Sequence, residues 1–150
     1  MNNIIIRRAN LEDAELVLAI DSQYEHERYS IESIQKSLLN KLNYNILLYV
    51  DDKPVGYLSA MIVVDECELL KIVINKDCRR RGYGDILINA LKEYCEKRDI
   101  CKIFLEVREN NVPGNNLYIK NGFVVDAKRS GYYNGVDAII YRYDVHDKKD

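Results

Sequence analysis

Apolar and polar positions alternate along this chain with two different periods, and the changes of period divide it into elements. Ile4–Arg8 opens with β-branched residues, the pattern of a strand. Asn10 then offers a helix N-cap with Asp13 three residues on. Leu11, Ala14, Leu16, Val17, Leu18 and Ile20 follow with roughly helical spacing. A second helical stretch starts at Ser30 and carries Ile31, Ile34, Leu38 and Leu39. The polar, aromatic segment Tyr24–Tyr29 between them fits neither period. Two extended runs come next, Asn45–Val50 and Val55–Val64, joined by the turn Asp51-Asp52-Lys53-Pro54. Glu68–Ile74 reads as another strand. After it, Gly82 and Gly84 open a long amphipathic helix with Ile86, Leu87, Ala90, Leu91 and Tyr94 on its apolar side. Ile103–Val107 is a short strand, and Asn115–Lys120 a short helix closed by Asn121-Gly122. Phe123–Asp126 and Ala138–Tyr143 are the final strands, with Asn134-Gly135 as a tight turn before the last. The order β-α-α-β-β-β-α-β-α-β-β predicts an α/β or mixed α+β fold, a sheet with helices on its faces.

Composition narrows the class without naming a function. The 150 residues suit one domain with one core, and 47% hydrophobic with 31% charged residues is an ordinary globular balance. A net charge of −2 gives no global basic field of the kind nucleic-acid binders carry. No apolar run is long enough to span a bilayer, and the start Met-Asn-Asn-Ile-Ile-Ile-Arg-Arg has the wrong order and length for a secretory signal. Cys67, Cys78, Cys95 and Cys101 form no C-x-x-C pair and lie far in sequence from His26 and His146, which argues against a zinc site. The expectation is a soluble cytoplasmic protein with reduced thiols and no metal.

The most informative stretch runs from Lys71 to Gly84. A strand, Ile72-Val73-Ile74, enters a short loop that ends at a helix N-terminus. Such an end presents unpaired N–H groups and a positive partial charge, so it suits an anion. Gly82 and Gly84 let the backbone approach a diphosphate, and Arg79, Arg80 and Arg81 add cationic charge. A solvated basic turn capping a helix would look the same. The loop lacks the G-K-[ST] of a Walker A loop and the third glycine of the dinucleotide fingerprint.

The R-x-x-G-x-G run Arg79–Gly84, following that strand, resembles motif A of the GNAT acetyltransferases. Downstream, Leu105-Glu106-Val107-Arg108, Asn111, Leu117-Tyr118 and Asn121-Gly122-Phe123 are similar to the L-E-V-R-x-x-N…L-Y…x-G-F pattern of the ribosomal-protein-alanine N-acetyltransferases. Arg129-Ser130-Gly131-Tyr132-Tyr133 and Asp137-Ala138-Ile139-Ile140 resemble that subfamily's R-x-x-Y-Y…D-A-I-I hairpin. The resemblance implies a central mixed, mostly antiparallel sheet of about seven strands flanked by about four helices. It places one domain over residues 1–145 and leaves 146–150 as a short charged tail. Acetyl-coenzyme A is the implied cosubstrate. The backbone of Ile72, Val73 and Ile74 would lie along the pantetheine, and Arg79, Arg80, Arg81, Gly82, Tyr83, Gly84 and Asp85 would surround the pyrophosphate. Two segments depart from the subfamily. Glu27-Arg28-Tyr29-Ser30 stands where it carries a P-W-S-like segment, on the acceptor side, and Val112-Pro113-Gly114-Asn115-Asn116 replaces an alanine-rich helix start.

Acetyl transfer needs a neutral amine, a polarised thioester carbonyl and a proton for the departing thiolate. Glu106, on its strand, could accept the amine proton directly or through one water, the role the resemblance implies. It could equally pair with Arg108 or Lys102. Tyr118 is the implied acid, against the alternative that one of 12 tyrosines simply packs its helix onto the core. Asn111 would hydrogen-bond near the pantetheine, cap the following helix, or do both. Tyr29, Tyr132 and Tyr133 are candidate acceptor-binding residues, the last two also readable as aromatic pairs stabilising their hairpin. Asp65, Glu66 and Glu68 could attract a basic ribosomal protein or form a solvated face. The expected acceptor is the N-terminal alanine of a ribosomal protein, with no direct nucleic-acid or membrane partner. A small amine as acceptor, and a non-catalytic acyl-coenzyme A sensor, are the alternatives.

Overall fold

The computed structural model describes residues 2–24 and 27–145; part of the unassigned Tyr24–Tyr29 segment and the expected tail, 146–150, lie outside them. Seven strands make one sheet in the order β1-β2-β3-β4-β5-β7-β6. They are β1 (Ile4–Arg8), β2 (Asn43–Val50), β3 (Lys53–Val63), β4 (Glu66–Ile74), β5 (Lys102–Arg108), β6 (Val124–Tyr133) and β7 (Val136–Asp144). The pair β4–β5 is parallel, whereas β1–β2, β2–β3, β5–β7 and β6–β7 are antiparallel. Four helices accompany the strands: α1 (Ala14–Asp21), α2 (Ile31–Leu39), α3 (Tyr83–Lys97) and α4 (Val112–Lys120). The expected mixed fold, strand number and helix number are therefore present.

The residues gather into two compact units. One comprises Met1–Met61 with Lys71–Leu87, the other Ile62–Leu70 with Ile88–Asp150. In the first unit, Ala14, Val17, Ile20, Ile34, Leu47, Tyr57 and Val73 form one buried cluster, which places the apolar stripes of α1 and α2 against the sheet. The start of the helical region is fixed as its sequence suggests. The Asn10 side chain accepts from the Glu12 N–H at 2.9 Å, and Asp13 accepts from the Asn10 N–H at 2.9 Å. Ser30 caps α2 by accepting from the Ser33 N–H at 3.1 Å.

The β2–β3 turn is tighter than the four residues expected. Asp51 and Asp52 both have positive φ, 50° and 67°, the conformation of a two-residue hairpin turn. Lys53 and Pro54 already belong to β3, and the register between Leu48 and Tyr49 skips a residue to accommodate them.

In the second unit β5 alternates strictly. Ile103, Leu105 and Val107 are buried, while Lys102, Phe104, Glu106 and Arg108 share the other, half-buried face. The α3 stripe is shifted from expectation. Ile88 and Cys95 are fully buried with Leu91, whereas Ala90 and Tyr94 are only half-buried. β6 runs to Tyr133, beyond the expected end at Asp126, because it is an edge strand exposed along nearly its whole length. Such a strand needs no hydrophobic alternation, so its polar half carried no strand signal.

Candidate functional site

The loop between β4 and α3 is the candidate anion cradle. A ladder joins β4 to β5 only at Glu66–Glu68 with Lys102–Phe104, so Leu69–Ile74 is left out of that ladder. Asn75 anchors the loop: its N–H donates to Val55 O at 2.8 Å and its Nδ2 to Pro54 O at 3.0 Å. Gln23, just past α1, joins the brace by donating to Asn75 Oδ1 at 2.8 Å and accepting from the Lys76 N–H at 2.8 Å. Two residues of positive φ, Arg80 at 66° and Gly82 at 81°, turn the chain into α3. At the start of α3 the Ile86 N–H donates to Gly82 O at 3.3 Å. A helix N-terminus such as this one, opening at Tyr83, directs backbone donors toward an anion. Arg79, Arg80 and Arg81 are exposed beside them. Arg79 also braces the loop, donating to Ile74 O at 3.1 Å and to Gln23 O at 3.4 Å.

Behind this strand lies a buried charged group that the sequence reading did not single out. Lys71 precedes Ile72 in β4, and its Nζ sits 2.7 Å from Asp21 Oδ1, with side chains 5% and 0% exposed. Tyr57 donates its hydroxyl proton to Asp21 Oδ1 at 2.5 Å, and the Tyr29 N–H donates to Oδ2 at 2.7 Å. Lys71 also donates to Glu27 O and lies over the rings of Tyr29 and Tyr24, 4.0 and 4.7 Å from their centroids. Burial drives the Lys71 pKa below its ordinary value in spite of Asp21, and burial then Asp21 drive that of Tyr57 up. Tyr29, a candidate acceptor residue, is therefore held at both backbone and ring, and it lines a small pocket with Val17, Ile34, Tyr57 and Ser59. The signal was a lysine inside the apolar run Leu69–Ile74 and an aspartate closing α1, both at core positions.

In the second unit, Glu106 Oε2 is buried without a hydrogen-bond partner. Neither Arg108 nor Lys102 forms an ion pair with it among the described residues. Most buried polar atoms are paired, so an unpaired buried carboxylate oxygen makes Glu106 a candidate to accept from a bound molecule. Tyr118 is positioned by the end of α4. The Gly122 N–H donates to Ile119 O at 3.1 Å and the Phe123 N–H to Tyr118 O at 3.0 Å, with Gly122 at φ 88°. This is the Schellman arrangement, and its apolar contact is Tyr118 with Phe123, ring centroids 5.9 Å apart. Tyr141 completes the aromatic group at 6.0 Å. Tyr118 is thus a core-packing residue as well as a candidate acid.

Asn111 caps α4, accepting from the Gly114 N–H at 3.1 Å, so the helix begins earlier than expected, with Pro113 in its first turn. Asn115, read in sequence only as a helix start, ties the region together. Its Nδ2 donates to Asn111 O at 2.7 Å and Arg108 O at 3.0 Å, and its Oδ1 accepts from Tyr141 Oη at 2.6 Å. On the β6 hairpin, Tyr132 and Tyr133 pack edge to face at 5.0 Å as chain neighbours, not across strands. Arg129 lies over the first ring at 5.2 Å and Arg108 over the second at 4.4 Å.

The model of the acetyltransferase (GNAT) family matches residues 9–123, most of the chain. The chain belongs to the acetyltransferase (GNAT) family. A Bacillus subtilis protein provisionally named ribosomal protein bS18-alanine N-acetyltransferase is 30% identical over 138 residues, covering 90% of this chain and 91% of its own. Among solved structures, the Escherichia coli ribosomal-protein-S18-alanine N-acetyltransferase superposes with a TM-score of 0.89 at 26% identity, covering 100% of this chain and 99% of that one. An N-acetyltransferase from Thermoplasma acidophilum, solved in complex with coenzyme A, shares the fold with a TM-score of 0.79 at 20% identity, covering 94% and 99%. This GNAT chain therefore shares the fold of these N-acetyltransferases. No helix is long and apolar enough to cross a membrane. No group of three metal-ligating side chains occurs among the described residues.

Proposed function

We propose that this chain transfers the acetyl group of acetyl-coenzyme A to the α-amino group of a protein N-terminus, the N-terminal alanine of a ribosomal protein. The observation that carries the chemistry is the buried, unpartnered Oε2 of Glu106 on β5. The names of the relatives support the choice of acceptor. The Tyr83–Asp85 amides and Arg79–Arg81 suit the pyrophosphate, and the backbone of Ile72–Ile74, outside the β4–β5 ladder, suits the pantetheine amides as an added strand. Asn111 would meet the pantetheine from the start of α4 while capping it. When bound, acetyl-coenzyme A supplies an activated acyl carbon.

Glu106 takes a proton from the acceptor amine as the N–C bond forms. Tyr118 gives a proton to the sulfur as the C–S bond breaks, so the products are an amide and a free thiol. An α-amine has a pKa near 7.7–8.0 against about 10.4 for lysine. Roughly a tenth of α-amines are neutral at pH 7, against less than about a thousandth of lysines, so one carboxylate base suffices for an N-terminus. Tyr29, Tyr132 and Tyr133 would flank the incoming peptide. Four free cysteines fit a cytoplasmic setting.

The test separates an enzyme from an acyl-coenzyme A sensor. Glu106→Gln and Tyr118→Phe should bind acetyl-coenzyme A in calorimetry as the parent does, while thiol release with an N-terminal peptide falls by about 10²–10⁴ for the base. Full turnover in Glu106→Gln would remove the carboxylate from the mechanism.

A further inference from the structure

Glu106 is not the only incomplete group on its strand face. Arg108 lies two residues on, on the same half-buried side of β5, and its Nε is also buried without a hydrogen-bond partner. The guanidinium is held in place, since its Cζ lies 4.4 Å from the Tyr133 ring centroid. A buried polar atom left unpaired is costly, and two of opposite character on one strand face are what a ligand with matching groups would complete.

We infer that Arg108 anchors the carbonyl oxygen on the acceptor's first carbon, so that Glu106 and Arg108 together read an α-amino group and its own carbonyl. This rests on the transfer proposed above and adds what the site recognises. A carboxylate only accepts and a guanidinium only donates, so the ligand must offer a donor beside an acceptor. Residues two apart on a strand stand about 6.6–6.8 Å apart at Cα. One small ligand can therefore meet both side chains, with hydrogen bonds of about 2.9 Å. The nitrogen and carbonyl oxygen of an α-amino acyl group meet that requirement. A polyamine does not: beyond its reacting amine it offers methylenes and further cations, which Arg108 repels. The same chemistry occurs in a peptide N-terminus and in a free amino acid.

The experiment measures kcat/KM for the parent, Arg108→Met and Arg108→Lys on four acceptors: an alanine-starting peptide, alaninamide, free alanine and 2-aminopropane, which has the bulk but no carbonyl. Differences in amine basicity cancel when each acceptor pair is compared between variants. Arg108→Met should lower the ratio of peptide to 2-aminopropane by about 10- to 100-fold, the range of a hydrogen bond to a charged group, and Arg108→Lys should restore part of it. Peptide or alaninamide favoured over free alanine assigns the anchor to a peptide end; free alanine favoured assigns it to an amino acid and overturns the N-terminal acceptor. An unchanged ratio in a variant that still acetylates the peptide overturns the anchor and leaves the N-terminal reading standing. Parent turnover of 2-aminopropane without turnover of the peptide overturns both. Melting temperatures check folding, and if Arg108→Met does not fold, the ratio in Arg108→Lys decides.

Discussion

Replacing Lys71 by methionine asks how the acceptor side of this fold is held. The substitution keeps the apolar stem of the side chain, but it removes the cation paired with Asp21. Asp21 is fully buried and would retain two neutral donors, the Tyr57 hydroxyl at 2.5 Å and the Tyr29 N–H at 2.7 Å. Breaking a buried pair by removing one partner costs about 3–5 kcal/mol, because the other charge stays in a medium that cannot solvate it. With a urea m-value of about 2 kcal/mol/M, the unfolding midpoint should fall by roughly 1.5–2.5 M. Taking both charges out of water costs about as much as their attraction returns, so the pair as a whole is not a net source of stability. The double variant Asp21→Asn with Lys71→Met should therefore be more stable than Lys71→Met alone. The assay is a double-mutant cycle by urea denaturation, with acceptor KM read in parallel, since Tyr29 rests on both residues. A loss below about 1 kcal/mol in Lys71→Met, or a double variant at the sum of the singles, would refute the reasoning.

Three further outcomes follow from local geometry. A Cβ at Gly56 would stand 2.6 Å from Ile74 Cδ1 and 2.8 Å from Val73 O, so Gly56→Ala should cost about 1–3 kcal/mol and weaken coenzyme binding by displacing the β4 backbone; an unchanged melting temperature would contradict this. Gly82 has φ 81° and opens the cradle, so Gly82→Asp brings strain and like charge to the pyrophosphate, and calorimetry should show a loss of acetyl-coenzyme A affinity. The folded Lys71 pKa lies below the unfolded value of 10.5, so between the two the unfolded chain binds more protons and stability rises with pH. Urea midpoints from neutral pH to pH 10 should show that rise in the parent, and Lys71→Met should lack it.

Much of this molecule could be read before any coordinates were known. The sequence pattern placed part of every strand and α-helix, because most elements bury one face and expose the other. The stretches that escaped had no such contrast. The outer half of β6 is exposed on both faces, and the β2–β3 turn is carried by two aspartates at positive φ instead of the proline that drew attention. At the proposed site, Arg79–Gly84, Glu106 and Tyr118 were singled out by the resemblance to the family's motifs. Asp21, Lys71, Gln23, Asn75 and Asn115 were not, because each acts through hydrogen bonds to residues distant in sequence. Asn111 was read with two roles open, and the helix cap is formed. Tyr132 and Tyr133 proved to be chain neighbours stacked with Arg129 and Arg108.

The measurement that tests the central claim most directly is thiol release from acetyl-coenzyme A against an Ala-Arg-starting ribosomal-protein peptide, the same peptide with a blocked N-terminus, and spermidine, with mass spectrometry locating the acetyl group. Turnover on the free N-terminus alone, with the acetyl on the α-nitrogen, is the predicted result. Turnover on spermidine alone, or silence on all three with tight coenzyme binding, would contradict it.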